Sequence, residues 1–254
     1  MIRKGIIKDE IVFRRTNVGV TRLMRYDRVT TGTFIERPNR FIAMVEINGI
    51  ITKCHVKNTG RCKELLVKGS TVVLQESNDP DRKTRYDVIA VYKGELLINM
   101  DSQIPNAVVE ESISKLGLIE GLRTTRREVI HGDSRFDIYA EGERECFIEV
   151  KGVTLENDGI AMFPDAPTER GLKHVEGLIR CVEEGYDAYI IFVIQMKGVK
   201  YFTPNYETHP EFGYALKKAS ENGVRILAYD CNVTESSIVL NEPVEIRLNP
   251  SPTL

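Results

Sequence analysis

The chain has 254 residues, of which 42% are hydrophobic and 28% are charged, and its formal net charge is −2. A chain of this length can bury one large core or two modest ones. The longest apolar run, Tyr189 to Ile194, is too short to cross a bilayer, so we expect no membrane partner.

The cysteines and the N-terminal residues bear on the cellular compartment of the protein. Five cysteines are widely spaced and form no Cys-x-x-Cys pair. An odd number with this spacing argues against a disulfide framework or a structural zinc site and is typical of a reducing environment. The first residues lack an apolar core followed by a small-residue cleavage site, so we expect no secretory signal. These features predict a cytoplasmic protein.

Charge is unevenly distributed along the chain. Residues 1–104 contain 19 Lys and Arg against 12 Asp and Glu, a net charge of +7, whereas residues 105–254 contain 16 against 25, a net charge of −9. A basic part can hold a polyanion, and a carboxylate-rich part can hold divalent cations. The alternative is an uneven scatter of charge over solvated faces.

After a basic leader, residues 31–100 show short apolar alternations broken by turn residues, which is the pattern of strands. Asn48-Gly49 lies between two such runs and predicts a two-residue hairpin. The order of these elements predicts a five-stranded barrel of oligonucleotide-binding (OB-fold) type. The predicted elements are strands at Phe41–Ile47, Ile50–Val56, Thr71–Gln75 and Tyr86–Tyr92, and a short helix at Arg61–Val67.

From residue 105 onward the pattern changes to helices among strands, so we place a domain boundary near residue 104, between domains 1–104 and 105–254. In the first helix Val109, Ile113 and Leu116 share a face, and Gly117 ends it. This order predicts an α/β fold with a mixed sheet flanked by helices. The later predicted elements are strands at Arg126–Ile130, Arg135–Ala140, Cys146–Lys151, Tyr186–Gln195 and Val224–Tyr229, and helices at Thr168–Glu184 and Pro210–Glu221.

Two adjacent predicted strands carry the residues with the clearest chemistry. Strand alternation places Glu149 and Lys151 on one face of the later strand. In the earlier strand, alternation turns Asp137 to one face and both Phe136 and Ile138 to the other. A hairpin between the strands would bring Asp137 beside Glu149 and Lys151, which we predict to be the catalytic residues.

Two carboxylates and a main-chain carbonyl make a hard oxygen site suited to Mg²⁺ or Mn²⁺. We therefore predict Asp137 and Glu149 as metal ligands. Lys151 could orient or deprotonate a water and offset phosphate charge. Glu111, in the first helix, is a candidate third ligand, although a solvated helix face explains it equally well. Glu128 is a weaker candidate.

One helix start is unusually basic. Arg170 and Lys173 lie in its first turn, where main-chain N–H groups already favour anions, so we predict that both contact nucleic acid. His174 follows them. We interpret it as a packing or helix-surface residue and not as a base.

The first domain contains a second group of candidate nucleic-acid contacts. Asn58, Thr59 and Arg61 surround a glycine at the predicted short helix and could form an anion cradle. Arg37 and Arg40 add cations beside an aromatic residue, a combination that binds single strands.

Together these motifs resemble the sugar fermentation stimulation protein A (SfsA) family from about residue 30 to the end. The Asp and Glu-x-Lys arrangement is similar to that of the PD-(D/E)xK nuclease superfamily. Cys62 stands where the family pattern has methionine, and residues 1 to about 27 lie outside it. The matching segments are Arg37–Phe41, His55–Arg61 with Glu64–Leu66, Pro105-Asn106, Glu110–Ile113, Glu128, Ser134–Asp137, Glu149–Lys151 with Val153–Leu155, Phe163–Thr168, Arg170–His174, Gly223-Val224 and Ala228-Tyr229.

The resemblance implies an OB-type N-terminal barrel, a nuclease-like C-terminal domain, DNA binding and a regulatory role in sugar (maltose) metabolism. We predict a DNA-binding, Mg²⁺- or Mn²⁺-dependent phosphodiesterase, with RNA or single strands open as substrates and a homodimer left open. One alternative is a non-catalytic DNA-binding regulator of sugar metabolism genes, although no helix-turn-helix reader is evident. Another is an enzyme acting on a small phosphate compound or nucleotide.

Overall fold

The structure is a computed structural model that describes residues 24–58 and 60–250. Its first part is a strand barrel in which the order β3-β2-β1-β4-β5 is closed into a ring by the parallel pairing of β3 with β5. The predicted OB-type five-stranded barrel is therefore confirmed, and β6 extends it beyond β5. The strands are β1 (Val29–Asn39), β2 (Ile42–Ile47), β3 (Ile50–Val56), β4 (Thr71–Glu76), β5 (Tyr86–Lys93) and β6 (Leu96–Asn99).

Period-two burial explains why these segments form a barrel. In β2, Ala43, Val45 and Ile47 are buried while the residues between them are more exposed. Asn48 (φ 51°) and Gly49 (φ 80°) join β2 to β3 in the left-handed conformations that a two-residue hairpin needs. The predicted hairpin is confirmed.

The predicted helix at Arg61–Val67 does not form. Leu66 N donates to Cys62 O at 3.0 Å, which closes one turn, but the segment does not continue as a helix. Cys62 has φ 45°, a left-handed conformation that interrupts a right-handed helical path. Burial of Leu65 and Leu66 in the barrel core holds this turn in place.

The second part contains a six-stranded mixed sheet in the order β15-β14-β12-β9-β8-β7 and a three-stranded sheet in the order β10-β11-β13. The predicted mixed-sheet α/β fold is confirmed, whereas β10, β11, β13 and β15 were not predicted. The elements are α1 (Pro105–Leu116), β7 (Thr124–His131), β8 (Ser134–Glu141), β9 (Glu145–Val153), β10 (Leu155–Asn157), β11 (Ile160–Phe163), α2 (Glu169–Glu183), β12 (Asp187–Ile194), β13 (Tyr201–Pro204), α3 (Pro210–Glu221), β14 (Arg225–Thr234) and β15 (Ser237–Pro243).

Helices cover both faces of the six-stranded sheet. Val109 of α1 packs in one apolar cluster with Ile148 of β9, while Leu178 of α2 packs in the other cluster with Phe147. Alternate residues of β9 thus serve opposite layers, as expected for a sheet buried on both faces. Among the described residues, no helix is long and apolar enough to cross a membrane.

Buried polar groups join the two parts. Asn99, at the end of β6, donates its main-chain N–H to Gln195 O at 2.9 Å, and Gln195 Nε2 donates to Asn99 Oδ1 at 2.9 Å and to Asp101 O at 3.1 Å. All three residues are at most 1% exposed. The barrel therefore sits against the end of β12 through satisfied amide contacts.

Candidate active site

The candidate site begins at an irregularity in β8. Phe136 packs against Phe147 with ring centroids 5.3 Å apart on the α2 side of the sheet, whereas Ile138 packs on the α1 side. The prediction that Phe136 and Ile138 share a face is therefore wrong. The alternation of side chains between the two faces of β8 is interrupted at Asp137. The residue opposite it in β7 is Glu128, whose φ is 54°. Such irregularities re-aim side chains beside functional sites.

Asp137 is held by two neighbouring elements. Its Oδ2 accepts a hydrogen bond from Val150 N at 2.8 Å, and its Oδ1 accepts one from Asn106 Nδ2, on α1, at 2.9 Å. Burial, followed by the charge of Glu149, raises the pKa of Asp137. The side chain thus lies between β9 and the start of α1 with its carboxylate fixed in orientation.

Glu149 is 1% exposed, and its two carboxylate oxygens differ sharply. Oε1 contacts Lys151 Nζ at 2.5 Å and also accepts from His174 Nδ1. Oε2 is buried and has no hydrogen-bond partner among the described residues. Burial alone would raise the pKa of Glu149, but the His174 hydrogen bond and the Lys151 charge outweigh it and lower that pKa.

His174 has a place at the site that the sequence interpretation did not give it. Its Nε2 accepts from Arg170 Nε at 3.4 Å, which leaves Nδ1 to donate to Glu149 Oε1. Thr168 caps α2 by accepting from Gly171 N at 3.0 Å, which fixes the first turn that carries Arg170. The i,i+4 spacing of Arg170 and His174 was the available signal, because it puts both on one helix face.

The structure does not bring the remaining predicted acidic and basic residues to this point. Glu111 Oε2 accepts from Met24 N at 2.9 Å, and Glu128 pairs with Arg135 at 3.4 Å. Lys173 lies 3.7 Å from Asp133 on the β7–β8 turn. Across residues 24–58 and 60–250, no group of three or more His, Cys, Asp or Glu side chains is placed to hold a metal ion. Asp137 and Glu149 therefore lie together without Glu111.

In the barrel, Arg37 serves the protein's own main chain. Its guanidinium donates to the carbonyl oxygens of Asn58 (2.7 Å), Arg40 (2.7 Å), Gly60 (3.0 Å) and Arg61 (2.8 Å). The prediction of a phosphate contact at Arg37 is corrected on this ground, because these nitrogens are occupied by the loop that they shape.

The anion cradle predicted at the same loop is not formed by the main-chain N–H groups of Gly60 and Arg61. Gly60 N donates to Asn58 Oδ1 at 2.8 Å, and Arg61 N donates to Asp165 Oδ2 at 2.9 Å. These two N–H groups are therefore satisfied within the chain and are not open to a phosphate. Thr59, also predicted here, lies outside the described residues.

Cationic side chains nevertheless surround a concavity on this side of the barrel, which we call the basic concavity. It has a volume of about 430 Å³, and exposed Arg40, Arg61 and Lys63 line it. The Arg40 guanidinium lies 4.9 Å from the centre of the Phe41 ring. Phe41 is 44% exposed, so a cation and an aromatic face are presented together to solvent.

Two family models match the chain in succession. The SfsA N-terminal OB domain matches residues 35–100, and the sugar fermentation stimulation protein RE domain matches residues 103–237. The chain is 56% identical over 226 residues to a sugar fermentation stimulation protein homolog of Clostridium beijerinckii, covering 89% of this chain and 100% of that protein. A homolog of Desulfitobacterium hafniense is 54% identical, with 89% and 99% covered.

A solved structure is also similar. The structure of Pyrococcus furiosus SfsA in complex with Ca²⁺ matches with a TM-score of 0.80 and 29% sequence identity. The match covers 89% of this chain and 98% of the archaeal chain. Both the OB-type barrel and the α/β part of the fold thus fall within the matched length.

Proposed function

The chain belongs to the sugar fermentation stimulation protein (SfsA) family, and from this premise we propose that it is a DNA-binding phosphodiesterase dependent on Mg²⁺ or Mn²⁺. Asp137, Glu149 and Lys151 form its proposed catalytic centre. The basic barrel supplies binding to the sugar-phosphate backbone.

The observation that carries the proposal is the unpartnered carboxylate oxygen of Glu149. Within the part of the chain that the structure describes, Oε2 is buried without a hydrogen bond, while Oε1 contacts both Lys151 and His174. Leaving a buried polar atom unpaired is costly, so natural proteins rarely do so without a functional reason. A divalent cation is a partner that such an oxygen can bind directly.

The residues present fit a hard cation. Asp137 and Glu149 would hold it, with main-chain oxygens and water completing the shell, because Mg²⁺ is commonly bound through one or two carboxylates and keeps several waters. When bound, the cation would polarise a phosphoryl oxygen and lower the pKa of a coordinated water. Ca²⁺ also prefers oxygen ligands, and a relative whose structure holds Ca²⁺ supports a divalent-cation site in this chain.

The chain's own cations would act on the phosphate. Lys151 is 15% exposed at its side chain and lies on Glu149. From there it can position the attacking water and offset charge on the phosphoryl group. His174 would hold Glu149 Oε1 through Nδ1–H, and its contact with Arg170 fixes the ring tautomer. We therefore assign His174 a positioning role.

Binding of DNA would use the basic concavity. Arg40, Arg61 and Lys63 are exposed there, and residues 1–104 have a net charge of +7. Phosphate contacts of this kind release counterions, so affinity should fall steeply with salt. Arg37 stabilises the wall of the basic concavity, because its guanidinium donates hydrogen bonds to four main-chain carbonyl oxygens of the adjoining loops.

The direct test is cleavage of labelled single-stranded and double-stranded DNA by the full chain with Mn²⁺, with Mg²⁺ and with a chelator. We expect cleavage only with a divalent cation. Lys151→Ala should still bind DNA but cleave on the order of a hundredfold more slowly, because it loses the cation beside the phosphate. Lys218→Ala removes an exposed lysine of α3 and is the matched control, expected to cleave as the wild type does.

If the wild-type chain binds DNA with the expected salt dependence yet cleaves no strand type with any of these cations, the phosphodiesterase proposal fails. A non-catalytic DNA-binding regulator would then be the better account. Absence of DNA binding would reject both.

A further inference from the structure

A cleft lies where the barrel meets the second part, at the carboxyl ends of β9 and β12, and we call it the junction cleft. It has a volume of about 310 Å³. Asn58, Gly60 and Ser102 line one side, and Gln195 and residues from two stretches, 152–155 and 162–168, line the other. We infer that it receives one unpaired nucleobase, so that the substrate is a single strand or a single-stranded end. This inference rests on the proposed phosphodiesterase function.

The lining of the junction cleft suits a base better than a phosphate. Among the described residues that line it, none has a cationic side chain. Its one carboxylate, Asp165, is engaged by Arg61 N at 2.9 Å. Met162 and Ala166 provide apolar wall, while Thr154 contributes a hydroxyl group. A flat ring with apolar faces and hydrogen-bonding edges is complementary to such a mixed surface.

The basic concavity adjoins the cleft. Gly60 lines both, so a chain whose base entered the cleft could run its phosphates directly past Arg61 and Lys63. A Cβ added to Gly60 would lie 2.5 Å from Asp165 Oδ2, which shows how closely the two walls approach at this point. Neutral and cationic surfaces thus alternate over a short distance, as the bases and phosphates of one strand do.

The other end of the cleft continues from the strand that carries the carboxylate. Gly152 lines the cleft and directly follows Lys151 in β9. A Cβ added to Gly152 would lie 2.8 Å from Pro105 Cγ, and the next residue, Asn106, holds Asp137. The cleft therefore lies between the basic concavity and the proposed catalytic residues.

The size of the junction cleft is that of a pocket for a small molecule. A volume of about 310 Å³ is at the lower end of the range for small-molecule pockets, which is about 300 to 1,000 Å³. A base within a duplex would have to leave its stack and its partner to enter. A single strand or an unpaired end enters without that cost.

The test compares metal-free binding of three labelled oligonucleotides of equal length to the full chain at one salt concentration. They are a single strand, a strand that lacks every base, and a blunt duplex. We expect the single strand to bind about tenfold or more tightly than either of the others, because base contacts are lost or withheld in both.

Protein variants locate the effect. Ala166→Phe should fill the cleft and reduce the affinity for the single strand to that for the base-free strand, with ordinary folding checked by circular dichroism. Lys218→Ala, at an exposed position of α3 that does not line the cleft, should behave as the wild type. Arg61→Ala should weaken the binding of all three oligonucleotides by a similar factor, because it removes a phosphate contact.

Equal binding of the single strand and the base-free strand would overturn the inference even if Ala166→Phe failed to fold. So would tighter binding of the blunt duplex, or an unchanged single-strand preference in folded Ala166→Phe. These results differ from a failure of the proposed function, which would appear as no binding of any oligonucleotide or no cleavage with a divalent cation.

Discussion

Two buried carboxylates, Asp87 in the barrel and Glu149 in the second part, have opposite environments. Asp87 Oδ1 contacts His55 Nδ1 at 3.0 Å and Arg82 at 2.7 Å, while Oδ2 contacts Arg82 at 3.0 Å and Lys57 at 3.4 Å. Glu149 has its contacts with Lys151 and His174 on one oxygen, and the other oxygen has no hydrogen-bond partner in residues 24–58 and 60–250. The paired oxygens of Asp87 are typical of a structural charge, whereas the unpaired oxygen of Glu149 is the basis of our proposal that a cation binds there.

The largest expected effect comes from Glu149→Gln. The amide cannot supply the second anionic oxygen, so cleavage with Mn²⁺ should fall at least on the order of a hundredfold, with loss of calorimetric Mn²⁺ binding. The free energy of unfolding should also fall, because Lys151 loses its buried anionic partner, although the substitution removes part of the desolvation cost of the carboxylate. Wild-type Mn²⁺ affinity in this variant would remove Glu149 from the metal site.

Asp87→Asn should lower the stability of the fold without lowering the rate of cleavage. Removing this charge leaves Arg82 beside a neutral group, whereas Lys57 keeps its ion pair with Asp101; breaking a buried ion pair typically costs about 3 kcal/mol or more. Denaturant unfolding should reveal this loss, while cleavage per folded molecule should stay at the wild-type rate. A large catalytic defect in folded Asp87→Asn would mean that the barrel cluster belongs to the active site and that the contrast is false.

His174→Ala tests the positioning role on the Glu149 side. Removing a group that orients a metal ligand usually weakens metal binding about tenfold to hundredfold. His174→Asn can place an amide N–H near the position of Nδ1 and should restore part of the Mn²⁺ affinity. Equal affinity in the wild type and the alanine variant, measured by calorimetry, would reduce His174 to a packing residue.

The smallest expected effect is a pH dependence of the stability that Asp87 contributes to the fold. Burial alone would raise the pKa of Asp87, but the Arg82 hydrogen bonds and the Lys57 charge lower it overall. The ionised form therefore contributes stability above the ordinary carboxyl pKa of about 4, and the contribution is lost as pH falls through the lower folded-state pKa.

The gap in unfolding free energy between the wild type and Asp87→Asn should accordingly narrow below about pH 4, by at most about 1.4 kcal/mol per pH unit. Urea titrations at several pH values measure this gap. A gap that widened toward acid would contradict the lowered pKa.

Much of the fold could be predicted because its signals are local. Period-two burial and the Asn48-Gly49 turn identify the barrel strands, and apolar stripes identify α1 to α3. The short strands β10, β11 and β13 were missed, since three or four residues carry too little periodicity to distinguish a strand from a loop. The longer strand β15 was also missed, because its sequence does not alternate between buried and exposed residues. The left-handed conformation of Cys62 was also missed, because cysteine is not among the residues that favour positive φ.

The site was only partly predictable, because its geometry depends on tertiary contacts. Sequence alternation identified Asp137, Glu149 and Lys151, but it could not reveal the break in β8 that aims Asp137 at Val150 N. It also undervalued His174, since a histidine on a helix is usually a surface or packing residue until its partner is known. At Arg37 the sequence suggested too much. A basic residue near a strand is readily interpreted as a phosphate contact, whereas in the structure its guanidinium is bound to loop carbonyl oxygens.

The shared amides of Asn99 and Gln195 bear on how the molecule melts. Separating the barrel from the sheet would strip hydrogen bonds from groups that are at most 1% exposed, so neither half gains by detaching alone. Heating should therefore give one calorimetric transition whose van't Hoff and calorimetric enthalpies agree. A chimera that carries the barrel of a relative would retain this cooperativity only if both Asn99 and Gln195 were kept.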